Sequence, residues 1–247
     1  MQWPRLTGAG RRVDVLPSPN IWHWPAVYEV ENRAQDAGGA LWDALRESCD
    51  WAGLDVLDVG CGDGFHLPVF AATARTVVGA EPHPPLVLRA QRRMAGVDHV
   101  RVITAGAQRL PLPSSSVDLV HARTAYFFGR GAQPGLAEAD RVLRPGGALA
   151  VVDLDVTCPP YGDWMLADLP RYDARDVEAF FAEQGFDRRR VRTVWRFADR
   201  AGLESVLRIE FSRPVAERAI AATPGLTIPV GYRMHVRRRP TRLVLPH

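Results

Sequence analysis

The sequence predicts an α/β fold: a doubly wound, seven-stranded sheet, mostly parallel, with an antiparallel last strand. Three observations predict it. From residue 54 to residue 153, short β-rich runs alternate with helical segments. The first run, 55–59, leads straight into glycines at alternate positions, Gly60, Gly62 and Gly64. The last run, 232–238, alternates apolar and basic residues and follows two helical segments, so a two-helix insertion precedes the final strand.

The elements follow in order. Residues 1–25 are rich in Pro and Trp and read as an irregular lead-in, and 26–50 read mostly as helix with a break at Gly38-Gly39. Strands are expected at 55–59, 76–81, 99–104, 117–122 and 148–153, with helices at 67–74, 85–94 and 135–143. Strands separated by crossover helices imply a parallel sheet. Beyond residue 160 the rhythm loosens: a helix at 175–184 ends at Gly185, a strand follows at 191–197, then helices at 200–211 and 215–223. The expected division is an N-terminal helical segment, 1–50, and one domain, 51–247, with a ligand-binding core at 51–155 and a second sheet half and insertion at 156–240.

Composition narrows the function classes. Of 247 residues, 47% are hydrophobic and 24% charged, as in a globular protein. No apolar run is long enough to span a membrane, and no apolar signal-peptide core is visible, so the expected location is the cytoplasm. Cys49, Cys61 and Cys158 are too few and too scattered for a disulfide framework or a cysteine-based zinc site, and no metal site is expected. All 31 basic residues are arginine, which excludes lysine Schiff-base chemistry. The charge is uneven: residues 1–187 hold 17 arginines against 24 acids, residues 188–247 hold 14 against 4. A basic C-terminal quarter can face an anionic partner.

The glycine loop carries the chemistry. Glycine turns tightly at positive φ and lets a ligand lie against bare backbone. At the end of a first strand, that marks a nucleotide-type site. The dinucleotide pattern is G-x-G-x-x-G, but here the third glycine comes one residue early and Phe65 fills the sixth position. Asp58 stands two residues before Gly60, where a carboxylate suits a ligand carrying an ammonium group. S-adenosylmethionine has such a group and lacks the pyrophosphate that seeks a helix N-terminus.

On four separated motifs the chain resembles the class I S-adenosylmethionine-dependent methyltransferases, with their Rossmann-like fold, and especially the small-molecule branch that includes the quinone-biosynthesis enzymes. The motifs are the loop at 58–64, the second strand and its terminal acid at 77–81, the segments 110–113 and 116–120, and 137–147 with its Arg144-Pro145-Gly146-Gly147 turn. The resemblance implies S-adenosyl-L-methionine as cofactor, with S-adenosyl-L-homocysteine as product. It lays the methionine portion along Asp58, Gly60, Cys61 and Gly62, the ribose hydroxyls on Glu81, and the adenine beside Pro82 and the backbone of Ala107 and Gln108. Many relatives carry an acid at the position of Gly106 to accept the adenine amino group; this chain does not. The resemblance also makes the N-terminal segment a lid.

The methyl acceptor is expected to be a small molecule. Trp22, His23, Trp24 and Tyr28 of the lead-in, and His121, Arg123, Tyr126, Phe127 and Phe128 at the fourth strand, are the candidate walls. Tyr28 and Arg123 are candidate cofactor contacts; His121, Tyr126 and His23 are candidate catalytic groups. His66, His83 and His99 are too spread out for a metal set. The Cys158-Pro159-Pro160-Tyr161 run reads as a loop. Arg233 and Arg237 should share one face of the last strand and Tyr232, Met234 and Val236 the other, with one face against helices and the other meeting solvent or the insertion. That arrangement argues against a nucleic-acid partner. An RNA or other nucleic-acid methyltransferase, a non-catalytic S-adenosylmethionine-binding protein and a nicotinamide dehydrogenase are the alternatives.

Overall fold

The computed structural model describes residues 18–126 and 129–241. Phe127, Phe128, Arg242 and most of the Pro- and Trp-rich lead-in, Trp3 included, lie outside the described residues. The chain folds as α1 (Pro19–His23), α2 (Pro25–Ala34), α3 (Ala40–Ser48), β1 (Asp55–Val59), α4 (Leu67–Ala71), β2 (Thr76–Glu81), α5 (Pro84–Arg93), β3 (Val100–Thr104), β4 (Val117–Arg123), α6 (Gln133–Val142), β5 (Leu143–Leu154), α7 (Tyr161–Asp168), α8 (Ala174–Glu183), β6 (Asp187–Arg196), α9 (Arg200–Glu210), α10 (Arg213–Ala222) and β7 (Thr227–Arg238).

A seven-stranded sheet takes the order β3-β2-β1-β4-β5-β7-β6. The pairs β1–β2, β1–β4, β2–β3 and β4–β5 are parallel. β7 runs the other way. The Asp155 N–H donates to the Gly231 carbonyl, and the Arg239 N–H to the Gly147 carbonyl, each at 2.8 Å, so the start of β7 meets the end of β5. The mostly parallel sheet, the antiparallel last strand and the two-helix insertion α9–α10 are as the sequence predicts.

Two compact units divide the chain. One takes the described residues up to Trp42 with Leu154–Ala174 and Arg190–Tyr232; the other takes Asp43–Asp153, Arg175–Arg189 and the described residues from Arg233. In the second unit, β1 is buried along its whole length, as a central parallel strand must be. Trp51 and Phe70 meet edge to face at 5.2 Å beneath it. At the amino ends of β1 and β4, Asp55 and Asp118 are bridged by two arginines, Arg75 to Asp55 at 2.6 Å and Arg144 to Asp118 at 2.8 Å. Arg75 holds the Asp55 carboxyl well below the usual carboxylate range. The Arg144-Pro145-Gly146-Gly147 turn is thus a bulged start to β5, where the pairing jumps from Val117↔Leu143 to Leu119↔Ala148. A Cβ on Gly147 would lie 2.8 Å from the Asp118 carbonyl oxygen, so only glycine fits.

The first unit is held by aromatic rings and a buried acid pair. The Tyr161 ring lies 4.8 Å from Trp195 and 5.2 Å from Phe211, and the Trp195 indole N–H donates to the Tyr232 hydroxyl at 2.9 Å. Glu31 of α2 and Glu210 of α9, both buried, are hydrogen-bonded to each other. A carboxylate only accepts, so one of the two must carry a proton. Burial raises the Glu210 pKa, and the Asn20 amide and the Tyr161 hydroxyl also donate to it.

Four sequence expectations need correction. Part of the lead-in is helical: Pro19 occupies the first turn of α1, where a missing N–H costs nothing. The run after Pro160 is α7, with Tyr161 as its buried first residue rather than part of a loop. β7 starts at Thr227, five residues before the expected 232. Its two faces are both buried around Tyr232 to His235, with Arg233 fully covered. Arg233 sits 3.9 Å from Glu178 and acts electrostatically on Asp153, and His235 stacks on the Phe181 ring at 4.3 Å.

Asp153, fully buried near the end of β5, has its pKa raised from 3.8 to about 7 by burial, with Arg233 pulling it back. An acid whose pKa is raised on folding stabilises the fold at low pH and loses that contribution as pH rises through the folded value. Its contribution is complete below about pH 3.8 and lost above about pH 7. At 1.36 kcal/mol per unit that is at most roughly 4 kcal/mol. Asp153→Asn should therefore flatten the fall in urea stability between those two pH values. Equal slopes for variant and wild type would contradict it.

Candidate functional site

Parallel α/β sheets bind ligands outside the carboxyl ends of their strands, where the strand order reverses. Here that point lies between β1 and β4, and the Gly60–Gly64 loop crosses it. Gly60, Gly62 and Gly64 take φ of +72°, +58° and +79°. The loop is pinned to β2, because Gly60 and Cys61 both donate N–H to the Ala80 carbonyl, at 2.8 and 3.1 Å. A Cβ on Gly60 would stand 3.3 Å from the Ala125 Cβ, and one on Gly64 only 2.9 Å from the Ala90 Cβ. The glycines keep the backbone bare and close-packed.

Three carboxyls converge on this loop. Asp58, Glu81 and Asp63 each push the Cys61 thiol up, on top of the larger effect of burial. Each carboxyl is anchored by its own donors. Glu81, at the end of β2, accepts the Gly62 N–H at 3.1 Å and the His83 N–H at 2.9 Å. Burial raises its pKa, the two N–H bonds lower it and Asp58 raises it. Asp63 is held by Arg93 of α5 at 2.9 Å, and the same guanidinium donates to the Asp63 carbonyl at 3.1 Å. Asp58 Oδ1 lies 2.7 Å from Nδ1 of His121, its register partner on β4. Both side chains are almost wholly buried, and the His121 ring lies 5.0 Å from Phe70. His66 is held well below its usual range by burial first, then by Arg123, His121 and Arg93.

The other predicted residues fall as follows. Pro82 is half-buried directly after Glu81. The Ala105 N–H donates to the Glu81 carbonyl at 3.1 Å, which brings the turn after β3 to the end of β2 and leaves Ala107 half-buried and Gln108 exposed. Arg123 ends β4, and Thr124 after it takes φ of +56°, a strained conformation for a β-branched residue. Tyr126 is buried with its ring against Gly135, its hydroxyl without a hydrogen-bond partner among the described residues, and its pKa raised by burial. His23 and Tyr28 belong to the other unit. His23 and Trp24 line a cleft of about 490 Å³ with Ser205, Arg208 and Ile209 of α9, while Tyr28 is half-buried on α2. Sequence reasoning missed Asp63, although an acid between two loop glycines was there to be read. It also did not foresee that His121 is the partner of Asp58.

The residues present suit S-adenosylmethionine. Bare glycine backbone admits a close ligand, the acids offer negative charge to a sulfonium and an ammonium, and Glu81 keeps spare lone pairs for a diol. Residues 57–151 match the family described as "Methyltransferase domain", and the chain shares its fold with solved methyltransferase structures. The chain is 33% identical over 103 residues to a tRNA U34 carboxymethyltransferase of Cellvibrio japonicus, covering 40% of this chain and 32% of that protein. It is 35% identical over 139 residues to methyltransferase GfsG of Streptomyces halstedii, covering 54% of this chain and 50% of the other. The chain thus spans half the length or less of these curated relatives. Among solved structures, geranyl diphosphate C-methyltransferase of Streptomyces coelicolor, in complex with Mg2+, a geranyl-S-thiolodiphosphate and S-adenosyl-L-homocysteine, aligns with a TM-score of 0.53 and 16% identity, over 81% of this chain and 76% of that one.

Gly64→Ala should strain the loop twice, through its positive φ and through the Ala90 contact. Overpacking of this kind costs about 1–3 kcal/mol. Urea denaturation should show that loss, and a variant as stable as wild type would mean that the loop yields freely.

Proposed function

We propose that the protein transfers a methyl group from S-adenosyl-L-methionine to a small-molecule acceptor. The observation that carries this reading is the cluster of Asp58, Asp63 and Glu81 around bare glycine backbone, with Cys61 feeling all three. Three carboxyls would repel a pyrophosphate but attract a sulfonium and an ammonium. That favours this cofactor over a dinucleotide on the same fold.

When bound, the cofactor would supply an electrophilic methyl on a good neutral leaving group, the new bond to the acceptor atom forming as the sulfur–methyl bond breaks and any acceptor proton passing to water. What this chain supplies is position and exclusion of water. Glu81 would hold the ribose diol, Asp58 the amino-acid ammonium, and the Gly60–Gly62 backbone would border the ligand. Pro82, Ala107 and Gln108 line the adenine end and Arg123 the other. His121 is engaged with Asp58, and the Tyr126 phenol is held neutral by burial, so the reading assigns catalysis to proximity rather than to either as a base.

A nucleic-acid acceptor is the second reading, favoured by the likeness to the tRNA-modifying relative. Against it stands the use of the C-terminal arginines. Arg188 pairs with Glu178, Arg190 with Asp155, Arg208 with Glu204 and Glu217, and Arg237 with Asp140. Arg233 is buried. Cations consumed in this way leave fewer for phosphates. Binding of tRNA or duplex DNA should be no tighter than the ~10⁻⁴–10⁻⁶ M of non-specific contact at physiological salt. A gel-shift titration showing submicromolar binding with a steep salt slope would put the nucleic-acid reading first.

Calorimetry tests the cofactor. S-adenosyl-L-homocysteine should bind and NAD should not; the reverse result overturns the reading. Glu81→Ala removes charge-assisted hydrogen bonds to the ribose, each worth roughly 1.5–3 kcal/mol, and should weaken binding ~10–100-fold.

A further inference from the structure

In the reading above Asp58 meets the ammonium of the cofactor, but His121 has no role beyond its contact with Asp58. Asp58 is 4% exposed and His121 2% exposed at the side chain, and they face each other across neighbouring parallel strands at 2.7 Å. An ionised carboxylate can only accept, so Nδ1 of His121 carries the proton in that bond. The bond takes one oxygen of Asp58, Oδ1. It thereby fixes the plane of the carboxyl and the direction of Oδ2. Asp58 also acts electrostatically on both Cys61 and Glu81, so it lies close to the glycine loop and the end of β2. A short side chain near a strand end, one oxygen tied back and the loop close by, suits a pre-oriented acceptor for a cation. Ligands bound by groups that are already oriented lose less in ordering on binding.

We propose that His121 is a positioning residue for the cofactor's amino-acid end, acting through Asp58 and touching no reacting atom itself. This rests on the methyltransferase reading. It differs from a structural role in one respect: it concerns only ligands that carry the ammonium group. 5′-Methylthioadenosine shares the adenosine and thioether of S-adenosyl-L-homocysteine but has no amino-acid end. Loss of the His121 donor should therefore weaken S-adenosyl-L-homocysteine and leave methylthioadenosine unchanged.

Two polar substitutions separate the atoms. His121→Asn sets an amide N–H where Nδ1 stands, and His121→Gln sets it where Nε2 stands. His121→Phe keeps a ring against Phe70 and removes the donor. By calorimetry, Asn should bind S-adenosyl-L-homocysteine within about threefold of wild type, and Gln and Phe about tenfold more weakly, a difference of about 1.4 kcal/mol. All three should bind methylthioadenosine like wild type. In an Asp58→Asn background the Gln substitution should add no further loss, the signature of coupled residues. Should the Phe variant fail to fold, the Asn–Gln contrast gives the same answer. Equal binding of S-adenosyl-L-homocysteine by Gln and wild type overturns the proposal, and so does parallel weakening of both ligands. A wild-type protein that binds neither ligand overturns the methyltransferase reading itself.

Discussion

The rest of this structure depends on keeping negative charge in one place without letting it repel itself apart. Asp58, Asp63 and Glu81 crowd around Cys61 at the reversal point of the sheet. Like charges so close are unstable unless each has its own donors. β4 supplies His121, α5 supplies Arg93, and the loop and the chain after β2 supply the N–H groups of Gly62 and His83. The fold therefore answers to the site: β4 must lie beside β1 in a register that sets His121 opposite Asp58, and α5 must carry Arg93 back to the loop. The glycines are required by the same geometry, since any Cβ at Gly64 would push α5 away.

At the far end of the same strands the charge logic is repeated with a different purpose. Asp55 and Asp118 are bridged by Arg75 and Arg144, so each acid there meets two guanidinium groups. Exposed pairs of this kind add little stability singly, but this set joins β1, β4, β5 and the turn before β2. A chain without lysine suits such networks, because a guanidinium can bridge two carboxylates in its plane whereas an ammonium is a point charge. The basic C-terminal quarter reads the same way: its arginines reach back to acids on earlier helices, as Arg188 does to Glu178 and Arg237 to Asp140.

Much of this was legible in the sequence, and what was not has identifiable causes. β1 and β2 fall on their expected residues because apolar runs bounded by turn residues mark parallel strands well. α1 has five residues, too few to show a helical period, and the prolines and tryptophans around it mimic a loop. α7 follows Pro159-Pro160 and carries apolar residues over most of its surface, so no amphipathic stripe announces it. Pro229 and Gly231 interrupt the alternation that marks the first half of β7, and both are residues that argue against a strand interior. At the site, Asp58 and the glycines could be placed from their spacing, and Glu81 from the resemblance. The His121 partnership could not, because it joins residues 63 positions apart that only strand register brings together.

The same distinction bears on what the fold can say about function. Doubly wound sheets bind dinucleotides, nucleotides and sulfonium cofactors at one and the same reversal point, so topology does not choose among them. The sign of the charge at that point does. A pyrophosphate site turns N–H groups and helix dipole towards its ligand. Here the N–H groups of Gly60 and Cys61 are spent on the Ala80 carbonyl and that of Gly62 on Glu81, and α4 begins only at Leu67. What remains facing the loop is carboxyl. In the methyltransferase reading, a loop whose N–H groups are already engaged and whose nearest side chains are carboxyls favours a cation over a pyrophosphate, before any acceptor substrate is considered.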